Sequence, residues 1–232
     1  MSDDSRSRIM ARVRHGSCGA RGTQVEAELA SLGRAPCAPL PCEDTCTAFL
    51  TNVLRNHGTI DVAADRTSVV KMVGAYVYQH YRSHRLVAGN DPHLAAMPWR
   101  DGGVLPRFGG LEQGEPVALS YARWGVAELG AVVTVTGKCN PAANNLLPEH
   151  HIVILDSAQL VADMESLWEQ VTVSLDREGR PRGINILAGP SSTADIEGQL
   201  VWGAHGPRAW HVILLGDVPA GALETARTLA GQ

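Results

Sequence analysis

The chain has 232 residues, 44% of them hydrophobic and 19% charged, with a formal net charge of −4. That length and composition suit a globular chain that folds without disulfides or metal. The acidic balance speaks against nucleic acid and against an anionic membrane surface, which both call for a basic excess or stripe. No apolar run approaches the ~18 residues that would span a bilayer.

In chain order, residues 3–15 carry Ile9, Met10 and Val13 among arginines and predict a short exposed helix. Residues 22–32 predict a second helical piece, and the Pro-, Cys- and Ala-rich stretch 33–46 reads as a linker. Residues 1–46 are therefore read as an N-terminal helical arm and linker, too short for a core of its own. Residues 47–232 are read as one α/β domain. Helices are expected over 47–56, over 67–82 with Thr67 or Ser68 as N-cap, over 157–171, over 193–201 and over 219–230. Strands are expected at Ile60 to Ala63, Arg85 to Ala88, Val117 to Ala122, Ala131 to Thr136, His151 to Leu155, Ile184 to Ala188 and Ala209 to Leu215, with a turn-rich stretch over 89–115. Short unbroken apolar strands separated by helices indicate a mostly parallel sheet with helices on both faces.

The start Met-Ser-Asp-Asp has no apolar segment of a secretory signal, and five cysteines are an odd number. Both suit a reduced cytoplasm. Cys37, Cys42 and Cys46 are spaced C-x4-C-x3-C, without the C-x2-C pair usual in zinc and iron–sulfur sites. They are read as reduced thiols in a loop, and no metal site is expected.

Three segments could carry chemistry. The first runs Gly189-Pro190-Ser191-Ser192-Thr193-Ala-Asp195-Ile-Glu197, after an apolar strand. The carboxyl end of a strand followed by a helix start is where open α/β sheets bind ligands, and free N–H groups there attract anions. Alternatively Ser192 and Asp195 only cap the helix. The second, Gly203-Ala-His205-Gly-Pro207, places His205 in a loop before a strand, as a ligand contact or as a brace. The third, Ala127-Glu128-Leu129-Gly130, sets a carboxylate between apolar segments. Glu128 is a candidate general acid, base or nucleophile, or else an acceptor for backbone N–H groups in a turn. Among weaker candidates, His80 and His84 are four apart on an expected helix, His150 and His151 point to opposite faces of a strand, and Asn140, Asn144 and Asn145 share a loop. The usual glycine-rich nucleotide and hydrolase motifs are absent.

Taken together, Gly189-Pro-Ser-Ser-Thr-Ala-Asp-Ile-Glu197, Gly203-Ala-His-Gly-Pro207, Leu147-Pro-Glu-His-His-Ile152 and Ala127-Glu-Leu-Gly130 resemble the signatures of the LutC/YkgG proteins, which carry a LUD (lactate utilisation) domain. The resemblance spans about residues 117–216. It implies a Rossmann-like sheet of the NagB/RpiA/CoA-transferase type. It also implies a non-redox subunit in L-lactate oxidation to pyruvate, beside iron–sulfur partner subunits of the LutA and LutB type that hold the clusters. The chain itself is then expected to hold no cofactor. The expected pocket is Gly189, Pro190, Ser191, Ser192, Thr193, Asp195 and His205, with Glu128 as the catalytic candidate. The competing expectation is an autonomous enzyme or binding protein for a small anionic metabolite, a CoA ester or sugar phosphate. The chain departs from the family pattern at Leu129 and Ala131, where threonines are common, and at Ser192, where an arginine is common.

Overall fold

The computed structural model describes residues 3–16, 21–196 and 199–232. The chain divides into two units, residues 1–36 and 37–232. The first holds α1 (Asp3–Gly16) and α2 (Gly22–Ser31), whose described residues are all exposed. The second begins within the segment read as a linker, and there the Ala38 amide donates to Glu128 Oε1 at 2.7 Å.

In the second unit the elements follow as α3 (Thr45–Arg55), β1 (Thr59–Ala63), α4 (Arg66–Tyr81), β2 (Arg85–Ala88), α5 (Pro92–Ala95), a 3-10 turn at Trp99–Gly102, β3 (Leu105–Phe108), β4 (Val117–Tyr121), β5 (Trp124–Val126), β6 (Ala131–Thr136), α6 (Ala142–Leu146), β7 (His150–Asp156), a 3-10 turn at Ser157–Gln159, β8 (Leu160–Val161), α7 (Met164–Glu178), β9 (Gly183–Leu187), β10 (Ser192–Ile196), β11 (Gln199–Trp202), β12 (Ala209–Leu215) and α8 (Ala222–Ala230). The main sheet has the order β1-β12-β7-β4-β2-β3 and every pairing in it is parallel. The parallel α/β expectation is met.

Alternation along the strands sorts side chains to two cores. On one face Ile152, Ile154 and Ile213 meet Val69, Val70 and Val73 of α4, with Leu94 and Trp99 alongside. On the other, Val153, Leu155, Val212 and Leu214 meet Phe49, Leu50 and Val53 of α3 and Ala222 and Ala226 of α8. A second sheet, β8-β5-β6-β9, lies on this α3 side, with Val132 of β6 and Ala127 in the same core. Beneath it, α7 packs Leu167 and Val171 against Trp124, Val126 and Val133.

Five local expectations need correction. The N-cap of α4 is Asp65, which accepts from Ser68 N at 2.7 Å; a carboxylate one residue before the helix outcompetes the hydroxyls within it. The helix expected over 157–171 starts later, at Met164, because Asp163 caps it by accepting from Ser166 N at 2.8 Å. The turn-rich stretch 89–115 contains α5 and β3, and β5 went unrecognised because it is only three residues long. The helix expected over 193–201 is an antiparallel hairpin, with Ser192 opposite Trp202 and Thr193 opposite Val201. Its base is fixed by Ser191 N donating to Pro207 O and Gly203 N donating to Ser191 O, each at 2.8 Å, which commits the chain to an extended path. The strand before it, β9, pairs antiparallel to β6 and belongs to the second sheet, not the parallel one.

Candidate functional site

The β10–β11 hairpin removes the helix N-terminus on which the anion site at Ser191, Ser192 and Thr193 was reasoned. Ser192 and Thr193 stand on the hairpin strand β10. The Asp195 side chain and Glu197 lie outside the described residues. Gly189, Ser191 and His205, by contrast, are brought together. They line a cavity of about 230 Å³ on the α3 side of the main sheet, near the amino ends of β7 and β12. Pro190 sits in the turn between Gly189 and Ser191.

Glu128 is elsewhere, and its carboxylate is occupied. Oε1 accepts from Ala38 N at 2.7 Å, and Oε2 accepts from Met164 N at 3.1 Å, the first residue of α7. This is the turn-acceptor alternative that the sequence left open. The rest of the turn docks on α3. Asn52 Nδ2 donates to Ala127 O at 2.8 Å and Asn56 Nδ2 to Leu129 O at 2.7 Å. Gly130 has φ +59, and a Cβ there would stand 2.3 Å from the Asn52 carbonyl carbon. Gly189 repeats the pattern one turn along, with φ +94 and a Cβ position 2.3 Å from Asn56 O. Two of the sequence signatures thus meet at the end of one helix, where only glycine allows the approach.

The floor of the signature cavity is polar and was not recognised as a unit in the sequence. His151 on β7 and Ser120 on β4 are diagonal neighbours, Ser120 standing opposite Val153, and lie 3.0 Å apart from Nε2 to Oγ. Ser120 Oγ in turn donates to Asn145 Oδ1 on α6 at 2.7 Å. The hydroxyl has one proton and spends it on Asn145, so it accepts from the imidazole N–H. Burial pushes the His151 pKa down to about 3, which keeps the ring neutral. His150 faces the other way, as alternation requires, and its Nδ1 lies 3.0 Å from Tyr76 Oη on α4. His80 belongs to that cluster, 4.9 Å from the His150 ring between centroids, while His84 lies past the end of α4.

A second concavity was missed entirely. The connection leaving β2 runs outward through α5 to β3 on the α4 face, whereas the connection leaving β4 runs back through the second sheet to β7. The winding therefore reverses between β2 and β4, and open α/β sheets bind ligands beyond the carboxyl ends of strands at such a point. A crevice of about 460 Å³ opens there, lined by Asp91, His93, Tyr121, Arg123, Asn140 and Asp156 among others. Asp91 accepts from His93 N at 2.8 Å, and the His93 ring stacks on Tyr121 at 4.4 Å. Burial, and then Asp156 and Asp91, raise the Tyr121 pKa above its usual value, so the hydroxyl keeps its proton. Arg123 is committed to Glu178, donating from Nη1 to Oε2 at 2.6 Å and from Nη2 to Oε1. Asn140 Oδ1 is buried without a partner. The strand-end rule could have found this crevice, since β2, β4 and β7 were all legible; it was applied to β9 instead.

The LUD domain family matches residues 116–215, which include all four signature segments and the Ser120–His151 pair. Lactate utilization protein C of Shouchella clausii is 30% identical over 180 residues, covering 74% of this chain and 76% of the relative. The protein of the same name from Exiguobacterium sp. is 29% identical over 150 residues, 60% of this chain and 65% of the relative, so just under two thirds of that protein is spanned. YkgG of Escherichia coli is 38% identical over 92 residues, 39% of this chain and 40% of YkgG. Among solved structures, a DUF162 family protein from Deinococcus radiodurans aligns with a TM-score of 0.54 at 20% identity, over 74% of this chain and 96% of that one, and supports the fold. Among the described residues no helix is long and apolar enough to cross a membrane.

Proposed function

Because the chain belongs to the LUD-domain family of LutC/YkgG proteins, we propose that it serves lactate utilisation as a subunit of a system oxidising L-lactate to pyruvate. The observation that carries the reading is the 30% identity to a lactate utilization protein C across 180 residues, three quarters of both chains. Oxidation of lactate to pyruvate releases two electrons and two protons. In this reading iron–sulfur partner subunits of the LutA and LutB type take the electrons, and this chain supplies a small-molecule site or an assembly surface in the cytoplasm.

The competing reading, an autonomous protein for a CoA ester or sugar phosphate, draws on the size of the carboxyl-edge crevice, which falls within the ~300–1,000 Å³ of ordinary ligand pockets. Its chemistry weighs against an anion there. Asp91 and Asp156 line it, and Arg123 is already paired with Glu178. The test is lactate-dependent dye reduction in extracts of a strain lacking this gene, with the purified chain added back. Loss of reduction in the extract and its return on addition support the lactate reading. Undiminished reduction without the chain overturns it.

A further inference from the structure

The carboxyl-edge crevice carries a set of groups that the lactate reading does not use. Asp91 and His93 reach it from α5 and its cap, Tyr121 from β4 and Asp156 from β7. The His93 ring is fixed from two sides. Its Nδ1 donates to Asp91 Oδ1 at 2.9 Å, and its plane lies 10° from that of Tyr121, with 4.4 Å between centroids. A carboxylate only accepts, so the proton of a neutral imidazole sits on Nδ1 and Nε2 keeps its lone pair. The side chain so held is still 56% exposed and lines the crevice.

Charge narrows the class of ligand. Asp156 spends Oδ1 on Ala158 N at 2.9 Å, and Asp91 spends Oδ1 on His93, so each has a second carboxylate oxygen left. Arg123 would balance one of the two charges, but Glu178 holds its guanidinium through both nitrogens, Nη1 to Oε2 at 2.6 Å and Nη2 to Oε1. The walls are therefore negative and rich in acceptors, with a flat aromatic pair beside Asp91. A positive ligand with N–H donors meets all three features. It finds counter-ions in the carboxylates, an acceptor in the imidazole and a cation–π surface in the stacked rings. An anion finds repulsion instead.

We propose that the carboxyl-edge crevice binds a small organic ammonium compound, whose N–H groups donate to Asp91, Asp156 and His93 Nε2 beside the Tyr121 ring. The Glu178–Arg123 pair is the selectivity device. Glu178 stands at the end of α7 and cancels a cation that would otherwise repel such a ligand. This site does not depend on the lactate reading.

The experiment titrates the full chain with probes of one carbon length and different charge, 1,4-diaminobutane, butane-1,4-diol and succinate. Calorimetry is run at about pH 8, where an ordinary imidazole is neutral. The diamine should bind saturably, the diol about tenfold more weakly or less, and succinate not at all. In a 15N spectrum of the imidazoles, the diamine should move the His93 Nε2 signal, identified by its loss in His93→Gln. The His151 signal should stay still, because its Nε2 already donates to Ser120 Oγ at 3.0 Å. Asp156→Asn keeps the acceptor for Ala158 N and should weaken the diamine about threefold to fivefold. Glu178→Gln releases Arg123 and should weaken the diamine likewise while letting succinate bind, a reversal that a merely structural role for Glu178 does not give. Should one variant fail to fold, the other gives the same test. Absent diamine binding, equal binding of diamine and diol, or a His93 signal that stays still overturns the assignment. Unchanged diamine affinity in the folded variants places the binding elsewhere and overturns it too.

Discussion

The carboxyl-edge crevice and the cavity beneath the hairpin are lined with different chemistry. In the crevice, Asp91 and Asp156 offer negative acceptors, and the Arg123 guanidinium is taken by Glu178. The cavity is lined instead by Leu146, Ile186, Leu187, Ser191 and His205, over a His151 imidazole that burial holds neutral. The crevice is where strand topology says to look; the cavity is where the sequence signatures converge. The two carboxylates repel an anion from the crevice, so wall chemistry argues against an anionic ligand where topology alone would place one.

The two regions also differ in how tightly they are tied to the fold, and substitutions can break or sharpen that difference. The largest effect is expected at Gly130, which lets the Glu128 turn close on α3. Gly130→Ala places a methyl group 2.3 Å from the Asn52 carbonyl carbon at a positive φ. Strain of the left-handed backbone and the clash together should cost about 3 kcal/mol or more. Urea unfolding reads it, and a loss under about 1 kcal/mol would show that the signature turn is not a docking point.

Next comes the pH dependence centred on His151. Its folded pKa lies near 3, well below the ordinary value of about 6.5 that the unfolded chain regains. Between those values the unfolded state binds the extra proton, so stability is complete above about pH 6.5 and is lost as pH falls through the window toward 3. One such histidine contributes a slope of about 1.4 kcal/mol per pH unit within it. His150, pushed down to about 4 by burial first and then by the charges of His80 and Arg208, acts in the same direction. His151→Gln keeps an amide donor for Ser120 and should flatten the slope by one proton. An unchanged slope would mean that the imidazole is not kept neutral beneath the cavity.

Glu128→Gln should cost about 1–2 kcal/mol, since one of the two acceptors for Ala38 N and Met164 N becomes a donor facing a donor. Dye reduction by the folded variant should persist. Lost reduction at unchanged stability would make Glu128 a catalytic residue after all.

Glu128 also shows how far the sequence could be read. Its place in a turn between apolar segments was legible, because Gly130 and the flanking β-branched residues mark it. What was not legible is which amides fill its oxygens, since Ala38 is 90 residues away in the chain. The parallel sheet was legible from β1, β7 and β12, whose apolar runs need cover on both faces. The hairpin was not, because Ser192-Thr193 carries the same hydroxyl signal at a helix start as on an edge strand, and only the Ser191 and Gly203 pairings decide between them. The Ser120–His151–Asn145 chain was invisible for another reason. Its members come from three elements, β4, β7 and α6, and nothing local marks Ser120 among five apolar-strand residues.

The smallest effect is expected in the crevice, and that smallness completes the contrast. Asp91 caps α5 by accepting from His93 N, and asparagine caps about as well as aspartate. Asp91→Asn should therefore leave stability within about 0.5 kcal/mol while removing one of the two negative charges that line the crevice. Lactate binding to the full chain, read by calorimetry, should be unchanged. If Asp91→Asn instead tightens lactate binding severalfold, the acid is entering the crevice once its repulsion is relieved, and topology has located the site that wall chemistry argues against.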